Sequence, residues 1–184
     1  MSWDAPTGTL ADLCDEVATL PVEASEVVFR GKVWDVRRDR VDLGAAGVVT
    51  RDLVEHTGAV LVVGLREVEG VDQIVLIRQY RHPVSSFLWE LPAGLLDQTG
   101  EPPWEAAARE LRPSPQPHDR EGEELDLRPT WVSLDDAYAA ALAGRIHNSG
   151  AVIGILAAWG SRAQGWRTLR PYDAPWPEHS AYRP

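Results

Sequence analysis

The sequence predicts an α/β fold, with strands concentrated in the first half of the chain and helices in the second. Up to about residue 91, runs of strand length either alternate polar and apolar residues or are apolar throughout. Apolar residues at helical spacings of three and four become prominent only after residue 100. A chain of 184 residues fits one domain, or one domain with a small appendage.

Six segments of the first half have the length and pattern of strands: Glu26–Arg30, Val33–Leu43, Val48–Glu55, Ala59–Leu65, Gln73–Gln79 and Ser86–Leu91. Of these, Ala59–Leu65 is apolar throughout, which is typical of a strand buried on both faces. A polar hairpin loop is expected over Glu67–Asp72. A further strand is expected within Glu123–Val132, which ends on an aromatic and a β-branched residue.

Three helices are expected in the second half. The first covers Glu101–Arg112, where two prolines suit the first turn and Pro113 forces the end. Ser133 is a suitable cap for a helix over Leu134–Ala143, and Asn148 is a suitable cap for a last helix. Beyond Gly160 the chain contains prolines and arginines without helical spacing, which indicates a tail.

Composition excludes several classes of function. The net charge of −10 argues against a nucleic-acid groove, which needs clustered Lys and Arg. The lone Cys14 can form neither an internal disulfide nor a thiolate metal cluster. No apolar run is long enough to span a bilayer, and the amino terminus lacks the pattern of a secretory signal. We therefore expect a cytoplasmic protein that binds neither nucleic acid nor membrane.

The strongest functional pattern runs from Gly94 to Arg112 and reads GLLDQTGEPPWEAAARELR. Carboxylates spaced by three and four residues on one helical face can hold Mg²⁺ through hard oxygen ligands. Such an ion suits a diphosphate substrate, because it bridges phosphate oxygens and neutralises growing negative charge. Glu110 would be the first carboxylate of such a set. The third and fourth residues after it are Pro113 and Ser114, which supply no carboxylate.

This run resembles the Nudix box, in which Gly, Glu and Arg-Glu are followed by a Glu pair and a Gly. It is most similar to the bacterial ADP-ribose pyrophosphatase branch of the Nudix hydrolases, some of which share the longer spacing seen between Gly94 and Glu101. Other segments match the branch in the same order along the chain: residues 49–51, 54–55, 79–82, 89–94, 122–124, 131 and 144–149. Together these matches cover most of residues 26–160.

The resemblance implies a Nudix-type α/β/α sandwich with a mixed sheet, preceded by a small N-terminal antiparallel sheet. Residues 1–56 would form the N-terminal tail and this sheet, residues 57–160 the hydrolase domain, and residues 161–184 a C-terminal tail. Members of the branch are homodimers that exchange their amino-terminal sheets, so the resemblance implies a homodimer.

The activity that the resemblance implies is hydrolysis of ADP-ribose, or a related nucleoside diphosphate sugar, to AMP and a sugar phosphate. Mg²⁺ would be the cofactor, with Mn²⁺ as a substitute. The Ala93 carbonyl, Glu110 and Glu123 would ligate the metal, and both carboxylates would be catalytic. Gly94, Glu101 and Arg109 would be structural parts of the motif.

The same resemblance places Arg51 and Arg81 on the diphosphate and Glu90 on the ribose. Ordinary structural roles remain open for each of these residues. Arg51 could be an edge-strand arginine that limits aggregation, and Arg81 and Glu90 could form an ion pair. Arg109 could pair with Glu105 four residues before it, and Glu123 lies in an acidic run of the kind that is usually solvated.

The sequence departs from the family pattern directly after Arg112. In the family the box helix continues through the Glu pair and strands follow, whereas Pro113 here opens a proline-rich linker. Either the gene product contains further residues at this junction, or it carries a real deletion and acts as a non-catalytic Nudix-like domain that binds a nucleotide or a protein. Strong family matches on both sides favour the first explanation. An intact mass above 20.3 kDa would establish it.

Overall fold

The computed structural model describes residues 5–98, 100–111 and 129–175. The strands in this part of the chain are β1 Val22–Phe29, β2 Val36–Asp42, β3 Val48–Val54, β4 Ala59–Leu61, β5 Leu65–Val68, β6 Val71–Arg81, β7 Ser86–Glu90, β8 Ala93–Leu95 and β9 Thr130–Ser133. The helices are α1 Pro103–Glu110, α2 Leu134–Leu142 and α3 Ser149–Ala163. The predicted α/β class is confirmed. The chain divides into two compact units, and residues 57–174 form the second.

The first unit is built on a three-stranded antiparallel sheet in the order β1-β2-β3. Its central strand carries charges that pair across the sheet, and Arg38 holds Asp52 through two hydrogen bonds of 2.7 and 2.9 Å. Asp39 is buried opposite Arg51 of the edge strand β3. All eight residues of β1 are exposed, so this sheet has little apolar core within its own unit.

The second unit is organised around β6. Its first half pairs with β5 and with β9, and its second half pairs with β7. A separate two-stranded sheet joins β4 to β8. Every strand pair among the described residues is antiparallel.

Side chains alternate across β6, and this alternation divides the second unit into two sides. Ile74 and Leu76 point into the main core with Leu91, Leu134 and Ile155, against α2 and α3. Val75 points to the opposite side, where it and Leu111, directly after α1, both lie close to Gly64. Helix α2 therefore packs on one face of β6, while α1 packs on β8 and β4 and its last turn approaches the other face through Leu111.

The capping predictions for the last two helices are confirmed. The hydroxyl oxygen of Ser133 accepts a 3.0 Å hydrogen bond from the Asp136 amide, and the side chain of Asn148 accepts one of 2.8 Å from the Ala151 amide. On the surface, α2 is tied to α3 by Asp135, which accepts hydrogen bonds from Arg162 and Trp159. These donors hold the pKa of Asp135 below its ordinary value of 3.8.

Helix α1 is shorter than predicted. It begins at Pro103 rather than Glu101, because the residue before a proline is pushed out of helical geometry and Pro102 is extended. It ends at Glu110, with Leu111 as its C-terminal cap. Residues 112–128 lie outside the described part of the chain, so the predicted end at Arg112 and most of the predicted strand Glu123–Val132 lie there as well.

One strand prediction is wrong in this region, and one predicted loop is longer than the turn that the structure forms. Ala59–Leu65 is not one buried strand, since β4 ends at Leu61, its outer residues are exposed, and β5 starts at Leu65 with a different partner. The hairpin predicted at Glu67–Asp72 is present, but its turn is only Glu69-Gly70, both with positive φ. The distant partner β8 decides the first outcome, and the tight turn between the consecutive strands β5 and β6 decides the second.

Smaller differences concern the ends of elements and one short strand. β1 starts at Val22, four residues before the predicted segment, and β2 is shorter than predicted at both ends. The short strand β8 is not anticipated by the sequence pattern. Helix α3 continues to Ala163, beyond the predicted start of the tail, and Trp166 packs against the main core. No helix among the described residues is long and apolar enough to cross a membrane.

Two glycines let α3 approach the strands closely. A Cβ atom at Gly154 would lie 2.5 Å from Leu91 Cδ1 and 3.2 Å from Val63 Cγ2. A Cβ atom at Gly150 would lie 2.6 Å from Leu61 Cδ1. Leu91 is almost fully buried and has no open space into which it could move. Gly160, on the same helix, has no heavy atom within 4 Å of the corresponding position.

We expect Gly154→Ala to lower the free energy of unfolding by about 1–2 kcal/mol, because overpacking outweighs the gain in helix propensity. The matched variant Gly160→Ala is expected to raise it by about 0.5–1 kcal/mol, because the added methyl group meets nothing. Denaturant unfolding of both variants measures the difference. Equal effects of the two substitutions would contradict the close packing of α3.

Candidate active site

The carboxylate of Glu110 rests directly on the backbone of Gly94. A Cβ atom at Gly94 would lie 2.5 Å from Glu110 Cγ, 2.6 Å from its Oε1 and 2.8 Å from its Cδ. Only glycine therefore admits the Glu110 side chain in this position. Gly94 is the buried centre of β8, and Glu110 is the last residue of α1. The contact explains why a glycine before the helix and a glutamate at its end occur together in the motif.

Two carbonyl groups of β8 face away from β4. The Val62 amide donates to the Pro92 carbonyl, and the Leu96 amide donates to the Gly58 carbonyl. The even-numbered residues between Pro92 and Leu96 therefore direct their backbone hydrogen bonds toward β4. Because bonding directions alternate along an antiparallel strand, the Ala93 and Leu95 carbonyls point to the other side. Consistent with this direction, Arg109 Nη2 donates to the Leu95 carbonyl at 3.3 Å. The Ala93 carbonyl thus faces the same side as the end of α1.

Arg109 braces the segment between β8 and α1. Its Nη2 donates to Glu101 Oε2 at 3.1 Å, and Asp97 Oδ1 lies 3.7 Å away. Glu101 is only 13% exposed, whereas Asp97 is 52% exposed. The principal partner of Arg109 is therefore Glu101, eight residues away, and not Glu105 on the preceding helical turn. Arg109 Nη1 also lies 3.9 Å from Glu110 Oε1. The sequence pattern did not reveal that the Leu95 carbonyl completes this brace.

Arg81 and Glu90 form a bidentate ion pair between β6 and β7. Arg81 Nε donates to Glu90 Oε1 at 2.8 Å, and Nη2 donates to Oε2 at 2.6 Å. Glu90 lies opposite Ile77, so it projects from the sheet face that carries Val75 and not from the face that packs on α2. Its side chain is 4% exposed, while that of Arg81 is 43% exposed. The ion pair anticipated as an ordinary role for these residues is thus present.

The remaining predicted residues lie apart from these groups in the chain. Arg51 is exposed on β3 in the first unit, and its Nη1 donates to the Thr50 carbonyl. Glu123 lies outside the described residues. The structure therefore assembles two pieces of the predicted site, Gly94 with Glu110 and its brace, and Arg81 with Glu90.

The oxygen donors near Glu110 suit a hard divalent cation in kind. A carboxylate and a backbone carbonyl are both ligands that Mg²⁺ accepts. Their number on the described residues is small, since no group of three or more His, Cys, Asp or Glu side chains there is placed to hold a metal. The third and fourth residues after Glu110, where the family pattern has carboxylates, are Pro113 and Ser114 in this chain.

A cavity of about 630 Å³ lies on the opposite side of the sheet from Glu90. Leu76 and Trp89 belong to its wall, and both project from the face that packs on α2. Its lining is mostly apolar and includes Ala137, Ala140 and Ile146. Trp89 also packs against the main core, and the sequence pattern did not indicate a cavity here. Neither Glu110 nor Glu90 lines it.

Comparison with known proteins identifies the family. Residues 55–113 match the model of the NUDIX domain. The chain is 34% identical to an ADP-ribose pyrophosphatase from Mycobacterium tuberculosis, over 83% of this chain and 89% of that protein. The chain belongs to the Nudix hydrolase family. The predicted resemblance to its ADP-ribose pyrophosphatase branch is confirmed.

Two further relatives match a smaller part of this Nudix hydrolase. An ADP-ribose pyrophosphatase from Bacillus subtilis is 39% identical over 48% of the chain and 45% of its own length. A methanol dehydrogenase activator from Bacillus methanolicus is 37% identical over 47% of the chain and 45% of its own length. A solved structure of an ADP compounds hydrolase aligns with a TM-score of 0.55 at 20% identity, covering 83% of this chain and 99% of that one. That alignment supports the fold.

The comparison with the M. tuberculosis protein also bears on the interrupted motif. The alignment runs over 191 positions, which exceeds the 184 residues of this Nudix hydrolase, although only 83% of them take part. The relative therefore has residues for which this chain offers no counterpart. The match to the family model ends at Pro113, directly after the point where the Nudix box departs from its pattern.

The hydrogen bond between Arg109 and Glu101 is expected to contribute to the free energy of unfolding. Glu101→Gln is expected to lower the free energy of unfolding by about 1 kcal/mol, because it removes the charged partner of Arg109 from a mostly buried position. Asp97→Asn is expected to change it by less than about 0.5 kcal/mol, because that carboxylate is distant and solvated. Denaturant unfolding distinguishes the two. A larger effect at Asp97 would show that Glu101 is not the principal partner.

Proposed function

We propose that this protein hydrolyses the diphosphate of ADP-ribose, or of a related nucleoside diphosphate sugar, to AMP and a sugar phosphate. The observation that carries the proposal is the contact of the Glu110 side chain with the backbone of Gly94, next to the hydrogen-bonded pair of Arg109 and Glu101. This arrangement puts a carboxylate and outward-facing backbone oxygens together at the end of α1. The name of the M. tuberculosis relative supports ADP-ribose as the first substrate to test.

Each predicted site residue has a place in this proposal. Glu110 and the Ala93 carbonyl would hold Mg²⁺, with Mn²⁺ as a substitute, and Glu123 would add a further ligand or align water. When bound, the cation would neutralise diphosphate charge and polarise water. Gly94 keeps the position of Glu110 open, and Glu101 and Arg109 hold the preceding loop against α1.

The arginines would bind and orient the substrate. A guanidinium group matches the spacing of phosphate oxygens and does not lose its charge near neutral pH. Arg81 supplies such a group beside the sheet, and its side chain remains partly exposed. Arg51 would supply a second one, in its own chain or in that of a partner. In a protein with a net charge of −10, such local positive charge favours an anionic ligand.

The carboxylate of Glu110 provides the direct test of catalysis. In the presence of Mg²⁺, Glu110→Gln is expected to reduce AMP release from ADP-ribose by roughly 10²-fold or more, because the amide cannot balance the charge of the cation. Glu105→Gln is the matched control, since Glu105 is exposed on the same helix. Its rate is expected to stay near that of the unaltered protein.

Two outcomes would contradict the proposed activity. One is saturable binding of ADP-ribose by the folded, complete gene product without any AMP release in Mg²⁺ or Mn²⁺, which would indicate a binding domain. The other is equal loss of activity in the Glu105 and Glu110 variants, which would indicate a structural effect of altering α1.

We also propose that the protein is a homodimer that uses the sheet of its first unit. Several large apolar side chains of this sheet are exposed in the single chain, among them Phe29 at 63% and Val54 at 53%. Exposed apolar groups concentrated on one small sheet are typical of a protein interface. Pairing with a second copy would remove them from water.

Light scattering after size exclusion is expected to give twice the mass of the chain, across a tenfold range of concentration. A monomeric mass at every concentration would contradict the dimer. The reason for the expected result is that a three-stranded sheet with little core of its own gains stability when its apolar residues are covered.

A further inference from the structure

The ion pair between Arg81 and Glu90 has an unusual distribution of exposure. Glu90 is nearly completely buried, and each of its two carboxylate oxygens accepts one hydrogen bond from Arg81. The arginine is partly exposed at the edge of the same sheet face. Because the carboxylate is buried and the guanidinium group is more exposed, Glu90 is suited to hold Arg81 in place and poorly suited to contact a ligand.

The geometry of the pair fixes the orientation of the guanidinium plane. The two hydrogen bonds use Nε and Nη2, which form one edge of the planar group. An arginine held at one edge cannot rotate about its last bonds without breaking both contacts. The guanidinium group is therefore oriented before a ligand arrives, which lowers the entropy lost when it binds an anion.

A ribose hydroxyl has little access to Glu90. The carboxylate is shielded from solvent, and both of its oxygens are already engaged by charged donors. Charge-assisted hydrogen bonds of this kind are stronger than bonds to a neutral hydroxyl. Each oxygen has a second lone pair, but the burial of the side chain keeps it from a ligand in solvent.

We propose that Glu90 is a positioning residue, which holds the guanidinium group of Arg81 in the orientation that receives a diphosphate, and that it does not serve as a ribose ligand. This inference rests on the proposed function for the identity of the anion. It assigns to Glu90 a role in phosphate binding that operates through Arg81. The sugar part of the substrate is not involved.

The test uses methylenediphosphonate, a diphosphate analogue that carries no sugar and cannot be hydrolysed. Its dissociation constant is measured by titration calorimetry with the complete protein in excess Mg²⁺. Glu90→Gln is expected to weaken binding about tenfold, as is Arg81→Gln, because either change removes the oriented fork. The double variant is expected to bind about as weakly as Arg81→Gln alone, because the two residues act as one unit.

Asp135→Asn serves as the matched control. Asp135 also holds an arginine, Arg162, but it does so on the surface between α2 and α3. Its substitution is expected to leave the dissociation constant for the diphosphonate unchanged. A comparable loss in this variant would show that weakened folding, and not the orientation of Arg81, reduces binding.

Arg81→Lys covers the case in which a Glu90 variant does not fold. Lysine keeps the charge but lacks the fork that Glu90 grips, so the inference expects a similar tenfold loss of binding. Diphosphonate binding by Arg81→Lys that equals that of the unaltered protein would overturn the inference, because charge alone would then suffice.

Two further results would overturn the inference, and a third would overturn only the proposed substrate. Glu90→Gln that binds the diphosphonate normally, but shows a raised KM for ADP-ribose, would make Glu90 a ribose ligand. Failure of the unaltered protein to bind the diphosphonate would refute the role of Arg81 as well. If the unaltered protein binds the diphosphonate but does not hydrolyse ADP-ribose, the proposed substrate is wrong and the positioning role is still judged from the variants.

Discussion

The alternation of side chains along β6 is the constraint on which the second unit depends. One set of residues, including Ile74 and Leu76, is fully buried against α2 and α3 and forms the main core. The other set, including Val75 and Ile77, faces the side on which α1 ends and from which Glu90 projects. A shift of register by one residue would exchange the two sets and move Ile74 and Leu76 out of the main core. The strand thus separates the main core from the side on which Glu90 lies.

On the face of β6 that carries Val75, the position of the Glu110 side chain depends on a close approach to the backbone of β8. Glu110 can occupy its position only because Gly94 has no side chain, and the peptide groups of β8 present their carbonyls in the same direction. Charged groups there are held by specific partners, Glu101 by Arg109 and Glu90 by Arg81. This pairing limits the cost of burying carboxylates in an acidic protein, and it fixes the direction in which the arginines can act.

The part of the Nudix motif that precedes the interruption after Arg112 is assembled in the structure. The parts of the Nudix motif that precede the junction are assembled as a unit, with the glycine, the first glutamate and the Arg-Glu pair all in contact with one another or with β8. The M. tuberculosis relative aligns over more positions than this chain possesses. These contacts lie within β8, the loop that follows it and α1.

The sequence by itself determined the fold class, the family, and the caps at Ser133 and Asn148. These features depend on residues close together in the chain, where backbone preferences and fixed spacings act directly. Only the tertiary structure decided that the apolar run from Ala59 is divided between two sheets and that β4 pairs with β8. The partner of β4 lies far along the chain, and packing between residues distant in the sequence decides such a choice of strand partner.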